Sequence, residues 1–303
     1  MMAVPSRSNP ADDRLRAYLQ ERGRLRRLAY RYLGSASEAD DVVQDAWLRY
    51  TEAGDVLDGP RYLSRIVTNL CLDRLKSAAY RREQYVGPWL PEPIVAQAGM
   101  VEPEAGDPAL DISFGIMRAL ERLSPLERAA LFLHDFYDVP FDEVAQTLHR
   151  SPVACRQLAS RARKLLKDGR ARYRPDAKVV DRYLRSFTEA ARTGSVEPLK
   201  DVLSADVELV ADGGGKAVAA RNVLNGFDRV ARFLVGINRK NPLLVGSAFA
   251  PVLVNGAPGL TLTVNGLLTQ AMGFSLDRDG AINGIYIVRN PDKLAGIEPS
   301  GAA

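Results

Sequence analysis

The strongest constraint on the fold lies between Phe141 and Lys167, in the segment FDEVAQTLHRSPVACRQLASRARKLLK. Apolar residues recur there at helical spacing in two stripes separated by a short break, which predicts two amphipathic helices. The first stripe consists of Val144, Ala145 and Leu148, and the second of Ala154, Leu158, Ala162 and Leu165. A short helix, a tight break and a longer helix together predict a helix-turn-helix.

The break between the two predicted helices has suitable residues. Ser151 is expected to cap the second helix, and Pro152 is expected at its first position, where the missing N–H costs nothing. His149 is expected to take the left-handed conformation that often ends a helix, since His tolerates it better than most residues. The local chemistry therefore agrees with the periodicity.

The polar face of the second predicted helix is almost entirely basic. Arg and Gln side chains can read base edges in a major groove, while Lys and the remaining Arg hold the protein on phosphates. We therefore predict DNA binding here, against the alternative of a solvated cationic face. The predicted contacts are Ser151, Arg156, Gln157, Ser160, Arg161, Arg163 and Lys164, with Arg150, Arg170, Arg172 and Arg174 extending the charge.

Composition indicates a modular cytoplasmic protein. A chain of 303 residues is expected to form two or three domains, and its net charge of +4 is concentrated in the first half and around the basic helix. Cys71 and Cys155 show neither disulfide nor metal spacing, which favours a reducing compartment. With no apolar run of about 18 residues and no signal-peptide pattern, neither a membrane span nor export is expected, and no cofactor is predicted.

The first module is predicted to begin with helices over residues 14–33 and from Ser37, where Asp40 would act as a capping partner. The second helix has an acidic outward face, which DNA would repel and which suits a basic protein surface. The alternative is a solvated helix. The face consists of Asp40, Asp41, Gln44, Asp45 and Arg49.

A third predicted helix follows, in the segment RYLSRIVTNLCLDRLKSAAYRR. Its apolar stripe is Leu63, Ile66, Val67, Leu70 and Leu75, and its other side carries Arg61, Arg65, Thr68, Asn69, Arg74, Lys76, Arg81 and Arg82. Basic groups interleaved with Asn and Thr, beside aromatic Trp47, Tyr50 and Tyr62, suit a surface that holds separated DNA strands.

In this order the pieces resemble the extracytoplasmic-function sigma factors of bacterial RNA polymerase, over about residues 12–173. DDVVQDAWLR resembles region 2.2, which docks on the polymerase; RYLSRIVTNLCLDRLK resembles regions 2.3 and 2.4, which melt and read the minus 10 element. The helix-turn-helix resembles region 4, which reads the minus 35 element. The resemblance implies recruitment of core polymerase, through its β and β′ subunits, to promoter DNA. It assigns Asp40, Asp41, Gln44 and Asp45 to polymerase, and Arg61, Arg65, Asn69, Arg74 and Lys76 to the minus 10 element, with Asn69 at a melted base.

The last part of the chain changes character after about residue 175. Helices are predicted over residues 179–191 and 227–236, and strands over 207–210, 243–254, 260–264, 267–276 and 282–288. The order resembles the SnoaL-like cone-shaped α+β fold. The expected fold class is therefore two all-α sigma domains followed by an α+β SnoaL-like domain.

Three segments, WLPEP, DGGGK and NPDKL, together resemble the group of these sigma factors that carries a fused SnoaL-like domain. From the residues alone, DGGGK is most simply a β-turn with opposite charges at Asp212 and Lys216, and NPDKL carries a second pair, Asp292 and Lys293. We hypothesise that both segments contact the sigma modules or the linker around Trp89. The residues concerned are Trp89, Leu90, Pro91, Asp212, Gly213, Gly214, Gly215, Lys216, Asn290, Pro291, Asp292, Lys293 and Leu294.

The predicted domains are region 2 over residues 12–82, a linker over 83–112, region 4 over 113–174 and a regulatory domain over 175–303. The linker is expected to be rigid around its prolines, with Trp89 docked on another domain, and flexible and acidic up to Asp111.

One alternative to a sigma factor is a free-standing helix-turn-helix regulator. Another is a DNA-tethered cyclase-like or isomerase-like enzyme. With no histidine in the last domain, only Asp212 could then act as base, so a non-enzymatic domain is expected. Binding of a small-molecule ligand inside the cone-shaped domain is a further alternative.

Overall fold

The structure is a computed structural model that describes residues 10–83, 85–97, 113–168, 177–240 and 247–297. The chain divides into two compact units. The helical unit contains Met1–Tyr80 and Leu120–Lys167, and the mixed unit contains Arg81–Ala119 and Asp168–Ala303. In the described ranges, no helix is long and apolar enough to cross a membrane.

The helices of the first half form from the predicted segments. They are α1 (Pro10–Leu33), α2 (Ala36–Glu52), α3 (Gly59–Glu83), α4 (Phe114–Glu121), α5 (Pro125–Leu131), the π-helical segment Phe132–Phe136, α6 (Phe141–Leu148) and α7 (Pro152–Asp168). The predicted start of α2 at Ser37 is wrong. Ser35 is the cap, because its extended backbone lets its Oγ accept the Glu38 N–H at 3.2 Å.

The helix-turn-helix is α6 followed by α7. His149 ends α6 in the left-handed conformation, with φ 52° and ψ 49°, and Ser151 Oγ accepts the Ala154 N–H at 3.2 Å, so both predictions are confirmed. The predicted stripe of α6 is buried. In the predicted stripe of α7, Ala162 is buried as expected, and the other three members are wrong by one position. Its buried residues are Cys155, Ala159, Ala162 and Leu166. Cys155 packs as a small apolar residue, which shifts the stripe.

Within the helical unit, α1 packs on α5 and the π-helical segment. Arg128 is 6% exposed, and its guanidinium donates to the Tyr32 carbonyl at 3.1 Å and to the Leu120 carbonyl at 2.7 Å. The Tyr32 ring meets Phe132 edge-on, with centroids 5.0 Å apart. The Tyr137 hydroxyl donates to a carbonyl of α1 at 3.0 Å. The helices predicted as region 2 and those predicted as region 4 therefore form one packed body.

The mixed unit is built on a seven-stranded sheet in the order β1-β4-β5-β6-β7-β2-β3. Its strands are β1 (Val95–Gln97), β2 (Leu203–Asp212), β3 (Leu224–Asn225), β4 (Ser247–Val254), β5 (Ala257–Val264), β6 (Leu267–Leu276) and β7 (Ile282–Val288). Its helices are α8 (Ala177–Thr193), α9 (Glu197–Lys200), α10 (Phe227–Lys240) and α11 (Pro291–Leu294). Adjacent strands are antiparallel except β2 and β7, which are parallel. The bounds of β6 and β7 match the predicted runs.

The two faces of this sheet bury different residues. One face packs on α8 and α10 around Tyr183, Val230 and Phe274. The other face buries Leu90 and Phe114, which come from the segment before Leu120. Leu90 and Phe114 therefore belong to the core of the mixed unit, and Val95 packs against it. The predicted flexible part of the linker, up to Asp111, lies outside the described residues.

Strand β1 is the clearest sign of this attachment. Val95 pairs with Val254 in an antiparallel ladder. The ladder is extended at one end, where the Ile94 N–H donates to Asn255 Oδ1 at 2.9 Å and the Asn255 N–H donates to the Ile94 carbonyl at 2.7 Å. The predicted linker thus supplies the edge strand of the C-terminal sheet.

Candidate functional site

The predicted minus 35 residues share one face of α7 and its N-cap. All except Arg163 are exposed: Ser151, Arg156, Gln157, Ser160, Arg161 and Lys164. Arg163 binds the Asp135 carboxylate side-on, with Nε–Oδ2 at 2.7 Å and Nη2–Oδ1 at 2.5 Å. These hydrogen bonds raise the pKa of Arg163. The face can hold phosphates and present forked donors to base edges. Arg170, Arg172 and Arg174 lie outside the described residues.

The predicted polymerase-binding residues lie on the outward face of α2. Asp40, Asp41 and Gln44 are exposed, and Asp45 is partly exposed. The face is not purely acidic. Arg26 binds Asp40 at 2.7 Å, and Arg74 of α3 reaches Asp45 at 3.0 Å and Asp41 at 3.9 Å. Two arginines therefore form ion pairs with all three carboxylates of this face.

Sequence reasoning missed Leu48, which lies on the same face of α2. Its side chain is 55% exposed, and it follows Gln44 by four residues and Asp41 by seven, which places all three on one stripe. An apolar residue in the middle of a polar helix face was the available signal. A single exposed apolar side chain is common on protein surfaces, so Leu48 by itself does not identify a partner.

The predicted minus 10 residues are spread along α3. Asn69 is exposed and Arg65 partly exposed. Arg61 and Lys76 form surface ion pairs with Asp58 at 3.3 Å and Asp73 at 2.9 Å. Arg74, in contrast, turns toward α2, as described above.

Thr68, predicted on the same outward side of α3, is fully buried, so that prediction is wrong. The buried side of α3 is wider than its apolar stripe, and it includes the small hydroxyl side chains of Ser64 and Thr68. The Arg81 and Arg82 side chains lie outside the described residues. The aromatic residues beside α3 form a row, with Tyr50 and Tyr62 ring centroids 6.1 Å apart and Trp47 and Tyr50 centroids 6.4 Å apart.

DGGGK and NPDKL meet because β2 and β7 are parallel. Parallel strands bring their carboxyl ends to the same edge of a sheet, and Asp212 ends β2 directly opposite Val288 at the end of β7. The Asp212 carbonyl accepts the Arg289 N–H at 2.7 Å and the Asn290 N–H at 3.1 Å. Lys216 of DGGGK and Asp292 of NPDKL are 76 residues apart in sequence, and their side chains are hydrogen-bonded.

The Asp212 carboxylate binds the WLPEP segment directly. We call Tyr85, Leu90, Asp212, Asn290 and Lys293 the Asp212 cluster. Oδ1 of the fully buried Asp212 accepts the Tyr85 hydroxyl at 2.6 Å, and Oδ2 accepts the Leu90 N–H at 2.8 Å and the Lys293 ammonium at 2.7 Å. Burial raises the pKa of Tyr85, and the hydrogen bond to Asp212 adds to this, so the hydroxyl remains a donor.

The other members of the three segments complete this arrangement. Lys293 also donates to the Leu90 carbonyl, and its ammonium lies 4.3 Å from the centroid of the Trp89 ring. Asn290 Nδ2 donates to the Tyr85 hydroxyl at 2.9 Å, and its Oδ1 caps α11. Leu90, Pro91 and Leu294 are buried, whereas Pro291 is exposed at the start of α11.

The charges pair between the segments and not within them. Asp212 binds Lys293, and Lys216 binds Asp292 at 2.5 Å. The reason is the parallel alignment of β2 and β7, which places each acid beside the base of the other segment. Each pair therefore ties the two segments to each other.

The three glycines allow this approach. Gly214 and Gly215 have φ of 59° and 72°, which favours glycine. A Cβ on Gly214 would collide with the Asn290 amide, and one on Gly213 with the Ala217 carbonyl. A Cβ on Gly215 would lie 3.2 Å from Val86 Cβ of the linker.

The geometry gives Asp212 a binding role and no catalytic one. Its two oxygens accept four donors, the fourth being the Gly214 N–H at 3.0 Å, so every favourable acceptor direction is used. A general base needs an oxygen open to a substrate proton. Within the described part of the chain, no group of three or more His, Cys, Asp or Glu residues could hold a metal ion.

Comparison with known proteins covers both halves of the chain. Residues 17–81 match the family described as sigma-70 region 2, and residues 113–166 match sigma-70 region 4. The ECF RNA polymerase sigma factor SigJ of Mycobacterium tuberculosis is 39% identical over 289 residues, which cover 91% of each protein. The probable ECF RNA polymerase sigma factor SigI of the same species is 31% identical over 294 residues, covering 92% of each.

A solved structure is also similar over the whole length. The crystal structure of the M. tuberculosis extracytoplasmic function sigma factor SigJ aligns with a TM-score of 0.73 at 34% sequence identity. The alignment covers 95% of this chain and 100% of that one. The similarity therefore includes the α+β part as well as the helical regions.

Proposed function

The chain belongs to the extracytoplasmic-function sigma factors of RNA polymerase, and from this premise we propose that its C-terminal domain modulates promoter use by controlling the separation of regions 2 and 4. It is a sigma factor and not an enzyme, and it directs RNA polymerase to promoters. The proposal concerns the domain that follows region 4.

The first support for the proposal is a distance. The minus 10 and minus 35 elements are about 25 base pairs apart, or about 85 Å at 3.4 Å per base pair. Regions 2 and 4 pack together in a body of roughly 130 residues, and a compact body of that size is only about 35 to 40 Å across. The two regions must therefore separate before both elements can be read.

The second support, and the observation that carries the proposal, is the attachment of the linker. Regions 2 and 4 are joined by a segment that is attached to the mixed unit: Leu90 lies in its core and β1 pairs with β4, and Phe114, at the start of region 4, lies in the same core. Any separation of the two regions must be accommodated by this attached linker. A domain that holds the linker in one arrangement favours one range of separations over others.

The residue assignments belong to the same proposal. The face of α7 contacts the minus 35 element, exposed residues of α3 contact the minus 10 element, and the outward face of α2 contacts polymerase. The place of action is the cytoplasm, where polymerase and DNA are. A small-molecule ligand of the C-terminal domain stays a prediction.

Run-off transcription on promoters of varied spacer length tests the proposal. Each base pair added to the spacer moves the elements apart by about 3.4 Å and rotates them by about 34°. The full chain is expected to work best over a narrow range of spacers. A truncation ending at residue 174, which frees the linker, is expected to use the same elements over a wider range.

The comparison needs core polymerase, both forms of the chain, and one promoter in which the spacer alone is changed by one to three base pairs. Equal core binding by the two forms is the control for an intact region 2. Identical spacer profiles for both forms would contradict control by the C-terminal domain. Absence of promoter-specific starts with both forms would contradict the premise that this chain directs polymerase to the promoter used.

A further inference from the structure

Two side chains of region 4, His134 and Arg156, lie against the ring of Phe141. The His134 and Phe141 rings are stacked with centroids 3.8 Å apart and planes 28° apart. The Arg156 guanidinium carbon lies 5.5 Å from the centroid of the same Phe141 ring. His134 comes from the π-helical segment, Phe141 begins α6 and Arg156 lies in the second turn of α7.

The base of the stack is fixed by hydrogen bonds. His134 Nδ1 lies 3.0 Å from the Val139 carbonyl, and the Val139 N–H donates to the Leu133 carbonyl at 3.0 Å. Asp138, with φ of 51°, makes the turn between them. Single π-helical turns are rare and are often found at functional sites. Because its Nδ1 is hydrogen-bonded to the Val139 carbonyl, the His134 ring is held in one orientation.

The same segment braces α7 at a second point. Asp135, next to His134, binds Arg163 with two hydrogen bonds, and Arg163 follows Arg156 by seven residues on the same side of α7. The recognition helix is thus held by this segment directly at Arg163, and through Phe141 of α6 at Arg156. This arrangement fixes the direction in which the exposed face of α7 points.

From this geometry we propose that Phe141, backed by His134, is a positioning residue that orients the guanidinium plane of Arg156 for base reading. A planar guanidinium that rests on an aromatic ring loses rotational freedom before binding, so less entropy is lost when it forks onto a base. The guanidinium is attracted to the face of the ring, and its N–H groups are needed for the base. The proposal rests on the proposed role of Arg156 as a base reader.

Phe141→Leu removes the ring and keeps an apolar side chain. We expect holoenzyme formed with this variant to lose discrimination about two- to fivefold at one base pair of the minus 35 element, the pair that Arg156 reads. Phe141→Tyr, which keeps the ring, is expected to retain discrimination. The salt dependence of binding is expected to be unchanged, because the number of phosphate contacts is unchanged.

The measurement is binding of reconstituted holoenzyme to a set of promoters, each with one minus 35 base pair replaced. Arg156→Ala is tested alone and combined with Phe141→Leu. In the Arg156→Ala background the second change is expected to have no further effect on discrimination. Thermal melting checks folding, and Phe141→Met replaces Phe141→Leu if the latter unfolds.

The outcomes separate the proposal from its premise. If Arg156→Ala leaves discrimination intact at every position, the assignment of the base reader fails. If Arg156→Ala relaxes one position but Phe141→Leu weakens all promoters equally, Phe141 only supports the fold and the proposal is overturned. An effect of Phe141→Leu that persists without Arg156 overturns it as well.

Discussion

Replacing Asp212 with asparagine is expected to lower the free energy of unfolding of the mixed unit by about 3 to 5 kcal/mol. The change preserves the shape of the side chain but leaves the Lys293 ammonium, 10% exposed, without its counter-charge. Each carboxylate oxygen of Asp212 accepts two hydrogen bonds. In asparagine one of these oxygens is replaced by an NH₂ group, which cannot accept them and faces two donors. Docking of the linker is expected to weaken with it.

Urea unfolding of the full chain measures this effect. The protein has two tryptophans, and in a Trp47→Phe background the fluorescence reports Trp89, which lies against Lys293. Asp292→Asn is the matched control. Its partner Lys216 is 57% exposed, so the loss is expected to stay below about 1 kcal/mol.

A second variant separates charge burial from hydrogen bonding. Asp212→Asn combined with Lys293→Met removes both buried charges and is expected to recover part of the lost stability, because a buried pair replaced by apolar groups is often neutral. If Asp212→Asn costs no more than Asp292→Asn, the Asp212 cluster does not hold the linker.

Reversing two charges on α2 is expected to abolish binding to core polymerase. Asp41→Lys with Asp45→Lys turns an acidic surface basic, and like charges placed against each other across an interface cost several kcal/mol, or a loss of more than about a hundredfold in affinity. Direct titration of labelled core polymerase with each form measures this loss.

Arg74 requires attention in that experiment. It binds both carboxylates, so the reversal also removes two intramolecular ion pairs, and circular dichroism must show that the helical unit is still folded. The matched control reverses two exposed carboxylates of the mixed unit, Asp181→Lys with Asp201→Lys, and is expected to leave core binding unchanged. Equal binding by both double variants would show that α2 does not contact polymerase.

Helices and turns that are set by neighbouring residues could be predicted from the sequence. The helix-turn-helix could be predicted because α6 and α7 carry strong periodicity and because His149, Ser151 and Pro152 each have a specific backbone preference. The cap of α2 could not be resolved in the same way. Ser35 and Ser37 are two residues apart and chemically identical, and their hydroxyls lie 3.0 Å from each other. Only the backbone conformation distinguishes them.

Long-range pairing accounts for most of what the sequence could not predict. β1 is three residues long. It forms a strand because it pairs with β4, which lies about 160 residues later in the chain. The linker has no alternation of apolar and polar residues that would predict a strand. The Asp212 to Lys293 pair follows from the parallel alignment of β2 and β7, which composition does not encode. The role of His134 depends on a π-helical turn, for which single sequences carry little signal.

Control of the separation between regions 2 and 4 by the C-terminal domain is tested most directly by energy transfer between two dyes. Leu57→Cys and Arg122→Cys place the dyes on exposed sites of regions 2 and 4, and the natural Cys71 and Cys155 are buried. The free full chain is expected to show one short separation, and the complex with polymerase and promoter a longer one by several tens of ångströms. Asp212→Asn is expected to shift the free chain toward longer separations. Identical distributions with and without the Asp212 change, or no lengthening on promoter binding, would contradict the account.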